Sequence, residues 1–353
     1  MKEKDILKYL SEVQHPAKDD KDIVSLGMVD KIELEGGKVT VTLAFKAHRD
    51  PLADYLTGSA RAAIIRNMPG AEVEIRTVIK EAPKKKPGLD LGNEEIEGVK
   101  HIVGIASGKG GVGKSTVAVN LAVALARLGY KVGLADADVY GPSVPKMTDT
   151  EGVVPEAFRE GEKEVILPVE KYGVKWMSIG YFAAPEQALV WRGPMACNAL
   201  KQIILQVRWE ELDFLLVDMP PGTGDIHISL VHDIPLSGAV IVSTPQEVAL
   251  RDVEKGISMF RNKSINKEIY GLVENMSWFT PEELPQNRYY IFGKGGGQKM
   301  ADKYGIPLLG QIPIVQNIRE DSDNGEPAAL SDRPDSLAFI ALAQKLADAA
   351  LKR

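Results

Sequence analysis

Apolar and polar positions follow one rhythm over the first eighty residues and another after residue 100. In the first stretch Ile6, Leu7, Leu10 and Val13 recur at helical spacing, which predicts a helix over 6–13. Residues 24–29 read as a turn entering a strand. Residues 32–35 and 39–45 alternate in sidedness around Gly36-Gly37 and predict a β-hairpin. Residues 52–66 are helical in pattern, and 71–79 alternate as a last strand. These elements predict a small α+β domain over 1–80. Residues 81–99 carry Pro83-Lys84-Lys85-Lys86-Pro87-Gly88 and then an acidic stretch poor in apolar residues, the composition of a linker.

From residue 100 to 353 the strands become nearly continuous apolar runs, at 101–106, 131–135, 214–217, 239–242, 269–273 and 308–312. Helical patterns separate them, the first over 114–128. Strands without a polar face need cover on both sides, so this half predicts an α/β fold: a mostly parallel sheet with helices on both faces. Ligands in such sheets bind at the carboxyl ends of the strands.

The first apolar strand runs into Gly108-Lys109-Gly110-Gly111-Val112-Gly113-Lys114-Ser115-Thr116, and a helix follows. This is the P-loop pattern in its proper context. Glycines let backbone N–H groups turn inward around phosphate oxygens, and the helix N-terminus favours the anion. Lys114 is expected to reach the β- and γ-phosphates of ATP, Ser115 to ligate Mg²⁺, and Thr116 to contact the α-phosphate.

Two further strands end in acid. Residues 131–135 lead into Asp136-Ala137-Asp138, where one carboxylate can hold Mg²⁺ through water and the other orient the attacking water. Residues 214–217 lead into Asp218, the Walker B arrangement, followed by Met219-Pro220-Pro221-Gly222-Thr223-Gly224-Asp225, which reads as a switch loop. Asp225 either serves that loop or caps the next helix. Asn275, after the strand 269–273, offers an amide donor and acceptor to adenine or to a buried backbone. Pro313 is placed to pack on the base.

Composition narrows the function classes. The 353 residues carry a formal net charge of -6, which gives no electrostatic footprint for nucleic acid. No apolar run approaches the roughly 18 residues of a membrane span. The acidic start, Met1 to Asp5, is not followed by an apolar core of a secretory signal. Cys197 is the one cysteine, so no internal disulfide is possible and a reducing, cytoplasmic compartment is expected. One thiol also excludes a cluster ligated only by thiolates of a single chain.

Lys109, early in the loop, resembles the signature lysine of the deviant Walker A ATPases. That resemblance implies a homodimer in which Lys109 reaches the partner's nucleotide as an arginine finger does. The segments DADVYGPS (136–143), Trp191 to Met195, DMPPGTGD (218–225), Ser243 to Gln246 and GLVENMS (271–277) together resemble the Mrp/ApbC family. The stretch Asp22 to Val29 resembles the SufT/PaaD-like iron–sulfur assembly domain. The resemblance implies an ATPase core of the MinD class that carries iron–sulfur clusters to client apoproteins. It implies metal support by Asp136 and Asp218, and water positioning by Asp138. It also implies a Cys-x-x-Cys after Ser277 and a cysteine before proline in the small domain. Here those places read Trp278 to Tyr289, without cysteine, and His48-Arg49-Asp50-Pro51. No cluster ligand is identifiable. Two functions are therefore expected to compete: ATP-dependent cluster transfer, and a cluster-free, ATP-dependent dimeric switch that binds clients. DNA partitioning is the least expected of the three, because the acidic charge gives no electrostatic footprint and no basic C-terminal helix appears beyond Lys345 and Lys352-Arg353.

Overall fold

The computed structural model describes residues 3–16, 21–35, 38–45, 52–79, 96–139, 141–161, 163–182, 193–281, 283–284 and 286–352. The chain divides into two compact units, Met1–Pro87 and Gly88–Arg353.

The first unit contains α1 (Glu3–Leu10), β1 (Val29–Glu35), β2 (Lys38–Phe45), α2 (Ala53–Asn67) and β3 (Glu72–Ile79). β2 is the middle strand, antiparallel to β1 and parallel to β3. The parallel pairing follows from α2, which provides the crossover that a parallel return requires. Val39, Val41, Leu43 and Phe45 bury one face of β2 against Ile6, Leu10, Leu56 and Ile64. The first helix stops at Leu10, three residues short of the expected Val13. The reason is pairing: Val13 O accepts from Ile23 N at 3.1 Å, and Gln14 bridges Asp22, so the chain leaves the helix to meet that segment. The Gly36-Gly37 turn and residues 48–51 lie outside the described residues.

The second unit begins with β4 (Val99–Ser107), α3 (Lys114–Arg127), β5 (Val132–Asp136) and the single turn α4 (Val144–Met147). Then come β6 (Ala157–Glu160), β7 (Lys163–Ile166), β8 (Val169–Lys171), β9 (Val174–Ser178) and α5 (Gly193–Leu205). β10 (Leu212–Asp218), α6 (Asp225–Asp233), β11 (Gly238–Ser243), α7 (Glu247–Phe260) and β12 (Glu268–Glu274) follow. The chain closes with α8 (Gly296–Tyr304), β13 (Leu308–Gln311), α9 (Gln316–Asn324) and α10 (Pro334–Leu351). β4 starts at Val99, within the stretch expected as linker, because Val99 pairs with Leu212 and Ile96 is already buried in this unit.

The large sheet runs β13-β12-β11-β4-β10-β5-β9-β8. Every neighbouring pair is parallel except the edge strand β8, which is antiparallel to β9. Alternate residues of one strand feed opposite layers. Phe214 and Leu216 pack toward α3 and α10, while Leu215 and Val217 pack toward α5, α6 and α7. α3 packs on β4, β5 and β10 with α10 beside it on the same face of the sheet, and every residue from Val117 to Leu125 is buried. β4 is central, with β10 and β11 on either side, and the P-loop leaves its carboxyl end. Among the described residues, no helix is long and apolar enough to cross a membrane.

Phe214 is fully buried and meets two rings, stacking on His101 at 5.4 Å and edge-on to Tyr130 at 5.2 Å. Phe214→Ala is expected to destabilise the second unit by about 3–5 kcal/mol. Chemical denaturation monitored by tryptophan fluorescence measures it. A midpoint within error of the parent would show that this layer does not hold the sheet.

Candidate nucleotide site

The loop 108–113 keeps its shape because its glycines fill roles no side chain can. Gly113 has φ +79° and serves as N-cap of α3, and Asn275 Nδ2 lies against it. At Gly108 a Cβ would meet the backbone carbon of Asp252 in α7 at 2.5 Å. The loop is tied at both ends. Ser107 Oγ donates to Lys109 O at 3.0 Å, and Asn275 Nδ2 donates to Val112 O at 2.9 Å. Asn275 N in turn donates to Ser243 O at 2.7 Å, so the ends of β11 and β12 brace the loop. Pro313 follows β13 and is joined to the Asn275 segment through Ser277 N donating to Ile312 O at 2.9 Å. Lys109 is half-buried in the loop. Thr116 sits in the first turn of α3, its carbonyl accepting from Asn120.

Beneath the loop lies a buried ionic cluster. Lys114 is 6% exposed, and Asp136 and Asp218 are fully buried. Lys114 Nζ donates to Asp218 Oδ1 at 2.5 Å, lies 3.3 Å from Ser115 Oγ and 3.8 Å from Asp138 Oδ2. Parallel pairing of β5 with β10 puts Asp136 and Asp218 opposite each other. Asp136 accepts from Ser178 Oγ at 2.9 Å and from the amides of Asp138 and Val144. Even so, burial and the neighbouring Asp218 charge push its pKa up to about 7. Asp218 Oδ2 is buried with no hydrogen-bond partner. Two adjoining carboxylates, one ammonium, a nearby hydroxyl and an orphaned oxygen form a set short of positive charge. Those all-oxygen donors suit a small hard cation such as Mg²⁺. The structure thus brings together Lys114, Ser115, Asp136, Asp138 and Asp218.

Residues 98–348 match the family described as "NUBPL iron-transfer P-loop NTPase". The chain belongs to this family. Residues 3–76 match a second family, "Iron-sulfur cluster assembly protein". The chain is 42% identical over 346 residues to the iron-sulfur cluster carrier protein of Synechocystis sp., covering 97% of this chain and 96% of that one. To the carrier protein of Aquifex aeolicus it is 50% identical over 257 residues, 72% of this chain and 69% of the relative. Among solved structures, a nucleotide-binding protein of Archaeoglobus fulgidus in complex with ADP aligns at TM-score 0.59 and 36% identity, covering 69% of this chain and 93% of that one. The MinD cell division protein of Aquifex aeolicus aligns at TM-score 0.50 and 22% identity, covering 70% and 97%, which speaks to the fold.

Other residues of the site escaped the sequence. Ser178, at the end of β9, reaches Asp136 from 42 positions away, and only sheet pairing reveals it. His227 is another. It is 2% exposed, lies edge-on to Phe260, and its Nδ1 sits 3.2 Å from the Pro220 carbonyl in the loop after β10. The loop's other tether is Gly222 N donating to Ser107 O at 3.0 Å. A signal was present: a histidine two residues past Asp225, amid apolar neighbours. His232 is exposed and pairs with Asp233. Tyr140, Trp191, Arg192 and the side chain of Asp225 lie outside what the structure describes.

Burial lowers the His227 pKa from 6.5 to about 4. Above pH 6.5 the ring is neutral in both the folded and unfolded chain. As pH falls, the unfolded chain takes the proton first, so stability is lost from pH 6.5 downward until the folded ring titrates near 4. The cost is expected to reach about 2 kcal/mol by pH 5. His227→Gln removes it, so urea midpoints at pH 7.5 and pH 5 should differ less in the variant. Equal acid sensitivity in both proteins would show that this ring does not charge on unfolding.

Proposed function

We propose that this chain binds Mg·ATP and hydrolyses it as a homodimer, using the cycle to carry iron–sulfur clusters to apoproteins. The observation that carries the nucleotide part is the Lys114–Asp218 pair under the P-loop, with Asp136 beside it. The membership in an iron-transfer family, and the front unit's match to a cluster-assembly family, support the cargo.

In this reading Lys114 exchanges Asp218 for the β- and γ-phosphates. Ser115, Asp136 and Asp218 would hold Mg²⁺, in part through water, and a cation there would offset the phosphate charge. The amides of 108–116 cradle the phosphates, and Asn275 and Pro313 border the adenine. Asp138, near enough to Lys114 to feel its charge, orients the attacking water. Lys109 enters the partner's site on closure and stabilises charge on the transferring phosphoryl group. The switch loop, held to β4 by Gly222 and to α6 by His227, reports the γ-phosphate to the surface. A second reading, a client-binding switch without cluster, is favoured by the chain's single buried thiol.

Cluster delivery is tested by activation of an apo iron–sulfur enzyme under anaerobic conditions. Delivery that depends on the protein and is faster with Mg·ATP supports the carrier. Equal activation with the protein left out removes it and leaves the switch. For the nucleotide chemistry, Lys109→Ala is expected to spare ATP binding and lower kcat about 10³-fold, the low end of an arginine-finger effect. Undiminished turnover in steady-state phosphate release would show that Lys109 is not a cross-subunit catalyst.

A further inference from the structure

An iron–sulfur cluster is ordinarily held by four thiolates, with histidine as an occasional substitute. This chain has one cysteine and five histidines in 353 residues. Cys197 lies on α5, 8% exposed, within the apolar layer that includes Ala196 and Leu200. Of the histidines, His227 is buried against Pro220, His232 faces Asp233, and His101 stacks on Phe214 within the sheet. His15 and His48 belong to the other unit, and His48 lies outside the described residues. Among the described residues no group of three or more His, Cys, Asp or Glu is placed to hold a metal ion. A homodimer would contain only two thiols, both inside apolar layers. The carboxylates gathered under the P-loop are hard donors, matched to Mg²⁺ and not to sulfide-bridged iron.

We propose that this protein handles iron–sulfur clusters only while their iron is ligated by thiolates of another molecule. The inference rests on the carrier reading and specifies its chemistry. The chain then acts as a nucleotide-controlled platform that brings a thiolate-ligated cluster to an acceptor. Transfer is ligand exchange. Each bond from iron to a donor thiolate breaks as a bond from iron to an acceptor cysteine forms. The proton lost by the acceptor thiol passes to the departing donor thiolate. Iron keeps its oxidation state and the bridging sulfides stay in place, so no oxidant or reductant is consumed. The thiolates come either from a cysteine-bearing protein or from a small thiol, and the two sources share this chemistry.

The test is anaerobic reconstitution of the full chain with ferrous iron and sulfide, in three arms. The first uses a thiol-free buffer with a phosphine reductant. The second adds glutathione. The third replaces iron and sulfide with a cluster-loaded, cysteine-bearing scaffold protein. After gel filtration, iron, acid-labile sulfide and visible absorbance are measured in the protein fraction, with and without Mg·ATP. The expected result is background iron and sulfide in the first arm and co-eluting cluster in the second or third, whichever supplies the thiolates. Cluster bound in the thiol-free arm overturns the inference while leaving the carrier reading intact. No cluster in any arm overturns both, and separate ATP binding would then leave the cluster-free switch.

Discussion

The structure depends on one buried ionic contact. Lys114 Nζ donates to Asp218 Oδ1 at 2.5 Å where both residues are withdrawn from water, and Asp136 adds a second carboxylate alongside. Removing the lysine from this set would leave two buried carboxylates without a counter-charge, which costs about 3–5 kcal/mol. The sheet fixes where this contact falls. In register, β10 sets Asp218 beside Ile105 of β4 and Asp136 of β5, and parallel strands end on the same edge. The loop that leaves β4 therefore starts beside both acids, and the first residue of α3 is the lysine that pairs with Asp218.

That arrangement has a price in unsatisfied polar groups, and their location is informative. Five buried side-chain atoms lack a partner among the described residues. Asp218 Oδ2, Thr244 Oγ1 and His227 Nε2 belong to the ends of β10 and β11 and to the helix after the switch loop. Buried polar atoms are normally paired, so such a concentration at one sheet edge fits groups set out for a ligand and its metal. The tethers around them run through backbone carbonyls: Val112 to Asn275, Ser107 to Gly222, and Pro220 to His227. The loop 108–113 is thus hydrogen-bonded to the segment that follows β12, and the end of β4 to the loop after β10.

Much of this was legible in the chain itself, where the determinants are local. The P-loop is contiguous, and its glycines and lysine declare the chemistry without help from distant residues. Long apolar strands such as 214–217 announce themselves, because burial on both faces leaves no polar interruption. The edge of the sheet was not legible: β8 and β9 span only three and five residues, too short for a period to emerge. Contacts made through folding were equally hidden. Ser178 meets Asp136 only once β9 lies beside β5, and the burial of His227 depends on Phe260, 33 positions on. The thiol shortage, by contrast, needed no structure at all, whereas the burial of Cys197 did.

The account is tested most directly by calorimetric titration of the folded, nucleotide-free protein with ATP, in the presence and absence of magnesium. It predicts one saturable site per chain, with affinity strengthened by the cation because carboxylates and phosphates otherwise repel. Folded protein that takes up no ATP even with magnesium present would contradict it.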